Sequence, residues 1–143
     1  MAKKPEAAYT DRVNRKLGRD VYTWSISDRF TSGIPDHWYS GAGADLWVEY
    51  KWEPKFGRAV TPNLSALQRR WLNKRHDQGR NCAVIVGSPA GGLILTNKAW
   101  NGPTAPTNLL SVQEIAAWIE NQVREQAPMT HNDAYALRQI IAA

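Results

Sequence analysis

The alternation of apolar and polar residues is clearest over residues 46–52, where it predicts a half-buried β-strand. Successive side chains of a strand point to opposite faces, so one face is entirely apolar or aromatic. That face carries Leu46, Val48, Tyr50 and Trp52. The other face carries Trp47, Glu49 and Lys51. An acid and a base therefore lie two residues apart, on the side of the strand away from its apolar face.

Two further strands are predicted ahead of this one. The tract 21–27 alternates and is rich in β-forming residues. Pro35 stands just before residues 36–40, where it can start a strand, and the Gly-Ala tract that follows is typical of a hairpin loop. Because short links join antiparallel neighbours, we predict a three-stranded antiparallel meander.

Helical periodicity predicts helices on either side of the meander. Residues 5–18 form the first, with Pro5 in its first turn and Gly18 at its end. Residues 65–78 form the second, which stops at Gly79. Its predicted apolar face holds Leu67, Trp71 and Leu72 together with Gln68.

The second half of the chain predicts one central strand and further helices. The apolar run 82–86 suits the middle of a sheet, and its helical crossover favours a parallel neighbour. Residues 87–92 are predicted as a turn, 91–96 as a strand and 97–107 as a loop. A capping box at Ser111 opens a helix, and a last helix is expected over about 133–141. The apolar face of the Ser111 helix is Ile115, Trp118, Ile119 and Val123.

Length and charge narrow the class of protein. A chain of 143 residues suits a single domain, with a core at about 5–96 and a helical extension at about 108–143. The net charge of +5 attracts polyanions. No apolar run is long enough to span a membrane, and the start lacks the apolar segment of a signal peptide, so we expect a cytoplasmic protein. The single cysteine, Cys82, excludes a disulfide framework within the chain.

The order helix, meander, helix, strand, with Asp36 at the second strand and Glu49 and Lys51 on the third, resembles the PD-(D/E)XK nuclease superfamily. Within it the chain is most similar to the small VRR-NUC and Holliday-junction-resolvase-like nucleases, including those of phages. The matching segments are Gly33-Ile34-Pro35-Asp36, Val48-Glu49-Tyr50-Lys51, Ser65-x-x-Gln68-x-x-Trp71-Leu72 and Ala83-Val84-Ile85-Val86. The resemblance implies an α/β (α+β) fold with a restriction-endonuclease-like αβββαβ core, a mixed central sheet flanked by helices, and extra C-terminal helices.

The same resemblance implies the roles of the central residues. Asp36 and Glu49 would ligate Mg²⁺, for which Mn²⁺ would substitute, with the backbone carbonyl of Tyr50 as a third oxygen. Mg²⁺ prefers oxygen ligands and keeps several waters, so two carboxylates and a phosphate oxygen suffice. Lys51 would orient or help deprotonate the attacking water and stabilise the charge on the phosphate.

Two residues have both a structural and a functional interpretation. Glu6 falls on the buried side of the first helix, either because first-turn acids favour the helix dipole or because it reaches the metal. Gln68 forms the capping box Ser65-x-x-Gln68, whereas the resemblance implies a glutamine beside the site or the scissile backbone.

Basic residues lie near these positions and are either a solvated surface or a DNA-binding groove. They are Lys55, Arg58, Arg69, Arg70 and Lys74. The histidines fit no zinc spacing, and His37 is expected to point away from Asp36. Of the seven tryptophans, we place most in the core because several fall on predicted apolar faces. Those are Trp24, Trp52, Trp71 and Trp118.

The expected function is a metal-dependent DNA endonuclease. No separate recognition domain is visible, which favours recognition of DNA shape, such as branches and Holliday junctions, over sequence. Cutting both strands of a symmetric junction calls for two active sites, so a homodimer is expected. The alternatives are a non-specific, repair or DNA-degrading phage nuclease, and a nucleic-acid-binding module without activity. The presence of Asp36, Glu49 and Lys51 together favours the enzyme.

Overall fold

The helices and strands follow one another in the predicted order. The computed structural model describes residues 3–26, 33–124 and 131–132. It contains α1 (Pro5–Arg15), β1 (Tyr22–Ser25), β2 (His37–Ser40), β3 (Asp45–Trp52), α2 (Ala66–Asp77), β4 (Cys82–Ser88), β5 (Gly91–Leu95), a 3₁₀ turn (Ala99–Asn101) and α3 (Val112–Val123). The helix predicted at 133–141 lies outside the described residues. None of the described helices is long and apolar enough to cross a membrane.

The five strands form one mixed sheet in the order β1-β2-β3-β4-β5. Both β1–β2 and β2–β3 are antiparallel, which confirms the predicted meander. Strand β4 lies parallel to β3, as expected for a strand reached through a helical crossover, and β5 returns antiparallel to β4.

Each face of the sheet carries its own apolar cluster. Helices α1 and α3 pack on one face, over Val48 and Tyr50 of β3. Helix α2 packs on the other face, where its Leu72 meets Val84 of β4 and Trp100 of the 3₁₀ turn. The predicted alternation along β3 is therefore confirmed, and Glu49 and Lys51 share the α2 side of the strand with Trp47.

The turn predicted at residues 87–92 is confirmed but is shorter than predicted, because β4 continues through Ser88 and only two residues separate it from β5. Gly87 and Gly92 lie in the strands and leave room for an aromatic ring. A Cβ atom on Gly87 would lie 2.3 Å from Cδ1 of Tyr9, and one on Gly92 would lie 2.3 Å from the Tyr9 hydroxyl. Small residues on β4 and β5 thus let α1 approach the sheet.

Helix α1 ends at Arg15, three residues before the predicted end. The backbone N–H of Gly18 donates instead to Oε1 of Glu120 on α3, at 2.6 Å. Helix α3 also meets the β2–β3 hairpin, since Gly43 N–H donates to the carbonyl of Val123 at 3.1 Å. With Ile115 and Ile119 fully buried, α3 forms part of the core that holds α1 and the hairpin.

Two apolar side chains assigned to buried faces are exposed. Trp24 is 53% exposed and Leu67 is 50% exposed. Strand β1 is an edge strand whose side chains are exposed on both faces, so its alternation does not produce a buried side. Trp52, Trp71 and Trp118 pack against the core clusters, as predicted.

Candidate active site

Asp36 is held beside β3 by a turn that requires glycine. Gly33 has φ of +86°, a conformation that L side chains rarely adopt. A Cβ atom at this position would lie 2.4 Å from the carbonyl oxygen of Leu67 in α2. Pro35 is buried one residue before Asp36. The segment 33–36 is therefore fitted against the first turn of α2, and this fit sets the position of Asp36.

Asp36 and Glu49 hold each other through the backbone. The N–H of Asp36 donates to Oε2 of Glu49 at 3.1 Å, and the N–H of Tyr50 donates to Oδ1 of Asp36 at 3.3 Å. Strand β2 begins only at His37, so the Asp36 side chain takes the place of a strand partner for β3. The N–H and C=O of a strand residue point to the same edge, so the Tyr50 carbonyl faces this site too.

Gln68 joins the helix start to the site. Its backbone N–H donates to Oγ of Ser65 at 3.1 Å, and its Oε1 accepts from the backbone N–H of Ser65 at 3.0 Å, so both hydrogen bonds of the capping box form. Its Nε2 donates to Oε1 of Glu49 at 2.8 Å, and its Oε1 also accepts from Nζ of Lys51 at 3.2 Å. The capping contacts and the contacts to the site therefore coexist in one side chain.

Lys51 completes this group of polar side chains. Its Nζ lies 3.5 Å from Oε1 of Glu49, in addition to its hydrogen bond to Gln68. The Lys51 side chain is 19% exposed and the Glu49 side chain is 6% exposed. An ammonium and a carboxylate thus meet at a partly buried position, where their charges are screened less than at the surface.

Burial raises the pKa of Glu49 to about 8, and the nearby negative charge of Asp36 adds to that rise. The Lys51 charge and the Asp36 N–H act in the opposite direction without cancelling it. Burial, followed by the charge of Asp36, also raises the pKa of Glu6. Near neutral pH the site therefore favours a bound proton or another cation over a free Glu49 carboxylate.

Glu6 lies close enough to the centre for charge coupling. It lines a groove of about 360 Å³ together with Asp36, Asp11 and His37. Among the described residues, no three His, Cys, Asp or Glu side chains lie close enough together to hold a metal ion between them. The available donors beside β3 are therefore the Asp36 and Glu49 carboxylates and the Tyr50 carbonyl. All of these are hard oxygen donors, which fit Mg²⁺ or Mn²⁺ completed by water and phosphate.

Behind Asp36 lies a buried polar network that no pattern in the sequence predicts. Asn14 of α1 contacts Nε2 of His37 at 3.1 Å and accepts from the Tyr39 hydroxyl at 2.7 Å. The Tyr39 and Tyr50 hydroxyls are 2.6 Å apart. His37 packs on the α1 side of the sheet, opposite to Asp36 as expected, yet its Nδ1 comes within 3.9 Å of Asp36 Oδ1. The ring is therefore fixed on one side by Asn14 and borders the acid on the other.

The basic residues fall into two groups. Arg69, Arg70 and Lys74 line a shallow groove along α2, together with Asn73. Lys55 and Arg58 are exposed on the loop between β3 and α2. The described structure thus gathers three of the five residues along α2 and places the other two on the loop that leaves β3.

No protein-family model matches the chain, and no curated protein matches it significantly in sequence. Among solved structures, it is similar to Hjc, a Holliday junction resolvase from the archaeal hyperthermophile Archaeoglobus fulgidus. The match has a TM-score of 0.50 and 14% sequence identity, and it covers 80% of this chain and 97% of the other. The likeness confirms the predicted fold, a restriction-endonuclease-like mixed sheet with flanking helices.

Proposed function

We propose that the chain is a divalent-metal-dependent endonuclease that hydrolyses phosphodiester bonds in DNA, of the PD-(D/E)XK type and similar to VRR-NUC proteins. The observation that carries this proposal is the cluster in which Glu49 contacts Asp36, Lys51 and Gln68. Two carboxylates with a lysine at the end of a strand, in this fold, suit phosphodiester hydrolysis better than any other chemistry that these side chains offer.

The two acids and a backbone oxygen are the proposed ligands. Asp36, Glu49 and the Tyr50 carbonyl would hold Mg²⁺ or Mn²⁺, and the pKa of Glu49 near 8 supports a cation at this position. When bound, such an ion lowers the pKa of water and offsets negative charge on the phosphate. Glu6 lines the groove that borders Asp36, and it would bind the metal ion indirectly, through a water molecule.

Lys51 and Gln68 are the proposed partners in the chemistry. Lys51 Nζ is held between Glu49 Oε1 and Gln68 Oε1, which fixes the ammonium on the side of β3 where the acids lie. There it can donate to a phosphate oxygen and orient the water that attacks phosphorus. Gln68 contacts both Glu49 and Lys51, so it sets their separation. A misplacement of the order of 1 Å is enough to slow such chemistry.

Branched DNA is the proposed substrate class. The similar solved structure is that of a Holliday junction resolvase, and the described residues form one domain-sized core without a separate recognition module. Contacts would then go to phosphates and to DNA shape. A homodimer would supply the two sites needed to cut both strands of a junction.

The test is a cleavage assay with purified full-length chain. Holliday junctions, flaps, nicked duplex, single strands and continuous duplex are incubated with Mg²⁺, Mn²⁺, Ca²⁺ or EDTA. We expect cleavage with Mg²⁺ or Mn²⁺, fastest on branched DNA, and none with EDTA or Ca²⁺. Asp36→Ala serves as the inactive control. Undiminished cutting in EDTA, or a folded protein that cuts none of the substrates, would overturn the proposal and favour the non-catalytic binding module.

A further inference from the structure

A line of aromatic side chains crosses the sheet from its open edge to α2. We call this line the aromatic ribbon; its members are Tyr22, Trp24, Trp38, Trp47 and Trp71. The ring centroids of Trp24 and Trp38 are 6.1 Å apart, and those of Trp38 and Trp47 are 6.2 Å apart. Tyr22 lies 5.7 Å from Trp38, and Trp71 lies 5.4 Å from Trp47. The contacts are therefore continuous over three strands and one helix.

The ribbon occupies the same sheet face as the candidate active site. Trp38 comes two residues after Asp36, and Trp47 comes two residues before Glu49. Because side chains two apart share a face, both tryptophans point to the side of the two acids. The strand register pairs Trp24 with Trp38 and Trp38 with Trp47, so Trp24 lies on that face as well. One repeat along a strand, about 7 Å, separates the ribbon from the acids.

Large hydrophobic side chains remain exposed around this ribbon. Within the described part of the chain, the large hydrophobic residues that stay exposed are Tyr22 at 63%, Trp24 at 53% and Leu67 at 50%. Tyr22 and Trp24 belong to the ribbon, and Leu67 lies one helical turn before Trp71. Tyr22 and Trp24 both contact Trp38 and lie together on β1, whereas Leu67 lies at the α2 end of the ribbon. Contiguous exposed apolar surface, such as that of the two rings on β1, marks an interaction site, whereas single exposed side chains do not.

The helix that borders the ribbon supplies positive charge. Leu67, Arg70, Trp71 and Lys74 follow the spacing i, i+3, i+4, i+7 and so form one stripe of α2. The guanidinium of Arg75 lies 5.8 Å from the centroid of the Trp71 ring. Flat aromatic surfaces beside cations are how proteins bind unpaired nucleotides, because bases stack on the rings while phosphates meet the charges.

We propose that the aromatic ribbon binds unpaired DNA bases next to the phosphodiester that is cut. The inference rests on the proposed nuclease function, since it is the position of Asp36 and Glu49 that places substrate on this face. A second copy of the chain seated on the ribbon would cover the face that the DNA must reach. Continuous duplex keeps its bases stacked, so the ribbon would select junctions, flaps and gaps, where bases are free to leave the stack.

The experiment measures DNA binding in EDTA, without catalysis, by fluorescence anisotropy. Labelled duplex interrupted by a short single-stranded gap is compared with continuous duplex of the same sequence. The variants are Trp24→Ala, Trp24→Phe, which keeps a ring, and Trp118→Ala as a control. Trp118 is a half-buried tryptophan of α3, which packs on the other sheet face. Circular dichroism and sedimentation of each variant report its folding and its oligomeric state.

Trp24→Ala is expected to weaken binding of gapped DNA by about fivefold or more, since one stack contributes roughly 1–3 kcal/mol. Binding of continuous duplex should stay nearly unchanged, Trp24→Phe should keep most of the affinity, and Trp118→Ala should match the parent. Equal losses on both DNAs, or no loss, would overturn the inference. So would a dimer that becomes a monomer on Trp24→Ala, because the ribbon would then bind a second copy.

The two proposals fail separately in these assays. A protein that cuts DNA with Mg²⁺ but shows no selective loss in Trp24→Ala refutes the ribbon and leaves the nuclease. If the protein never cuts DNA, yet Trp24→Ala selectively lowers the affinity for gapped DNA, the ribbon binds unpaired bases and the proposed hydrolysis is refuted.

Discussion

Asp36 donates its backbone N–H to Oε2 of Glu49 at 3.1 Å, at the point where β2 gives way to the turn and β3, still paired with β4, has no strand neighbour on its other side. One acid thus orients the other, and the side chain of Asp36 in turn accepts from the next residue of β3. Because the main chain supplies the donor, replacing the Asp36 side chain removes a carboxylate but leaves the Glu49 contact in place.

Asp36→Ala and Lys51→Ala should therefore fail in different ways. The first removes a proposed ligand, so Mn²⁺ binding measured by calorimetry should be lost together with activity. The second removes a charge that acts on the reacting water and phosphate. It should keep metal and DNA binding but slow single-turnover cleavage by roughly 100-fold or more.

Asp11→Ala is the matched control, because this acid lines the same groove as Glu6 but contacts neither Glu49 nor Tyr50. It should bind Mn²⁺ like the parent. A Lys51→Ala protein that turns over at the parental rate would remove Lys51 from the chemistry.

The two roles of Gln68 can be separated by a pair of substitutions. Ser65→Ala removes a capping-box partner without touching Glu49, and should lower stability by about 0.5–2 kcal/mol with the cleavage rate nearly unchanged. Gln68→Glu keeps a residue that closes a capping box, but sets a second carboxylate against Glu49 where an amide donates at 2.8 Å. It should remain stable and lose activity.

Thermal unfolding and single-turnover cleavage, measured on both variants, decide between the roles. If Gln68→Glu cleaves as fast as the parent, Gln68 acts only as a helix cap.

Metal affinity should rise with pH through the neutral range. Since burial raises the pKa of Glu49 to about 8, the carboxyl holds a proton at pH 6 that the cation must displace. Calorimetric titrations with Mn²⁺ should show affinity increasing by up to about tenfold per pH unit and levelling off above pH 8, with proton release below it. An affinity independent of pH between 6 and 8 would contradict the assignment of Glu49 as a ligand.

The raised pKa of Glu49 should also make the metal-free protein less stable as the pH rises. The unfolded chain ionises Glu49 near the usual pKa of a glutamate, about 4.3, whereas the folded chain keeps the proton until about pH 8. The folded state therefore becomes less stable as the pH rises through this window, and the melting temperature in EDTA should fall from pH 5 to pH 8.

Gly33→Ala should cost more stability than Gly79→Ala. Both glycines have positive φ, of +86° and +79°, so both substitutions strain the backbone. At Gly79 nothing lies within 4 Å of the added Cβ, whereas at Gly33 the Leu67 carbonyl oxygen lies 2.4 Å away. Gly79→Ala should cost about 1 kcal/mol, and Gly33→Ala should exceed it clearly and slow cleavage by displacing Asp36. Equal melting temperatures would show that the turn can move away from α2.

The basic groove on α2 predicts a change in salt dependence. Arg70→Ala with Lys74→Ala removes two exposed cations beside the ribbon, and if each meets a phosphate the slope of log K against log salt should flatten by about 1.8, or 0.9 per contact. The control pair Lys16→Ala and Arg19→Ala removes two exposed cations that follow α1. An unchanged slope in the first pair would place the DNA on another face.

Local patterns in the sequence predicted much of the fold, because their physical causes are local. The alternation along β3 follows from one apolar and one polar face, and the capping boxes at Ser65 and Ser111 each form as their spacing predicts. The resemblance of their motifs to the PD-(D/E)XK nucleases grouped Asp36, Glu49, Lys51 and Gln68, and the structure brings all four together.

Features that depend on distant partners were not predictable. The exposure of Trp24 follows from its place on an edge strand, which alternation does not report. The place of Gly87 inside β4 depends on the Tyr9 ring that packs against it, and this contact exists only in the folded chain. The contacts that tie His37 to Asn14 cross from β2 to α1, so no spacing along the chain signals them.

The hydrogen bond from Gly18 to Glu120 joins residues 102 positions apart, and α1 packs against α3 around it. During synthesis, α1 leaves the ribosome long before α3 exists to receive it. Helix α1, which carries Glu6 and Asn14, therefore gains its contacts with α3 only after residue 120 has been added, and we expect the complete packing behind Asp36 to form late in folding.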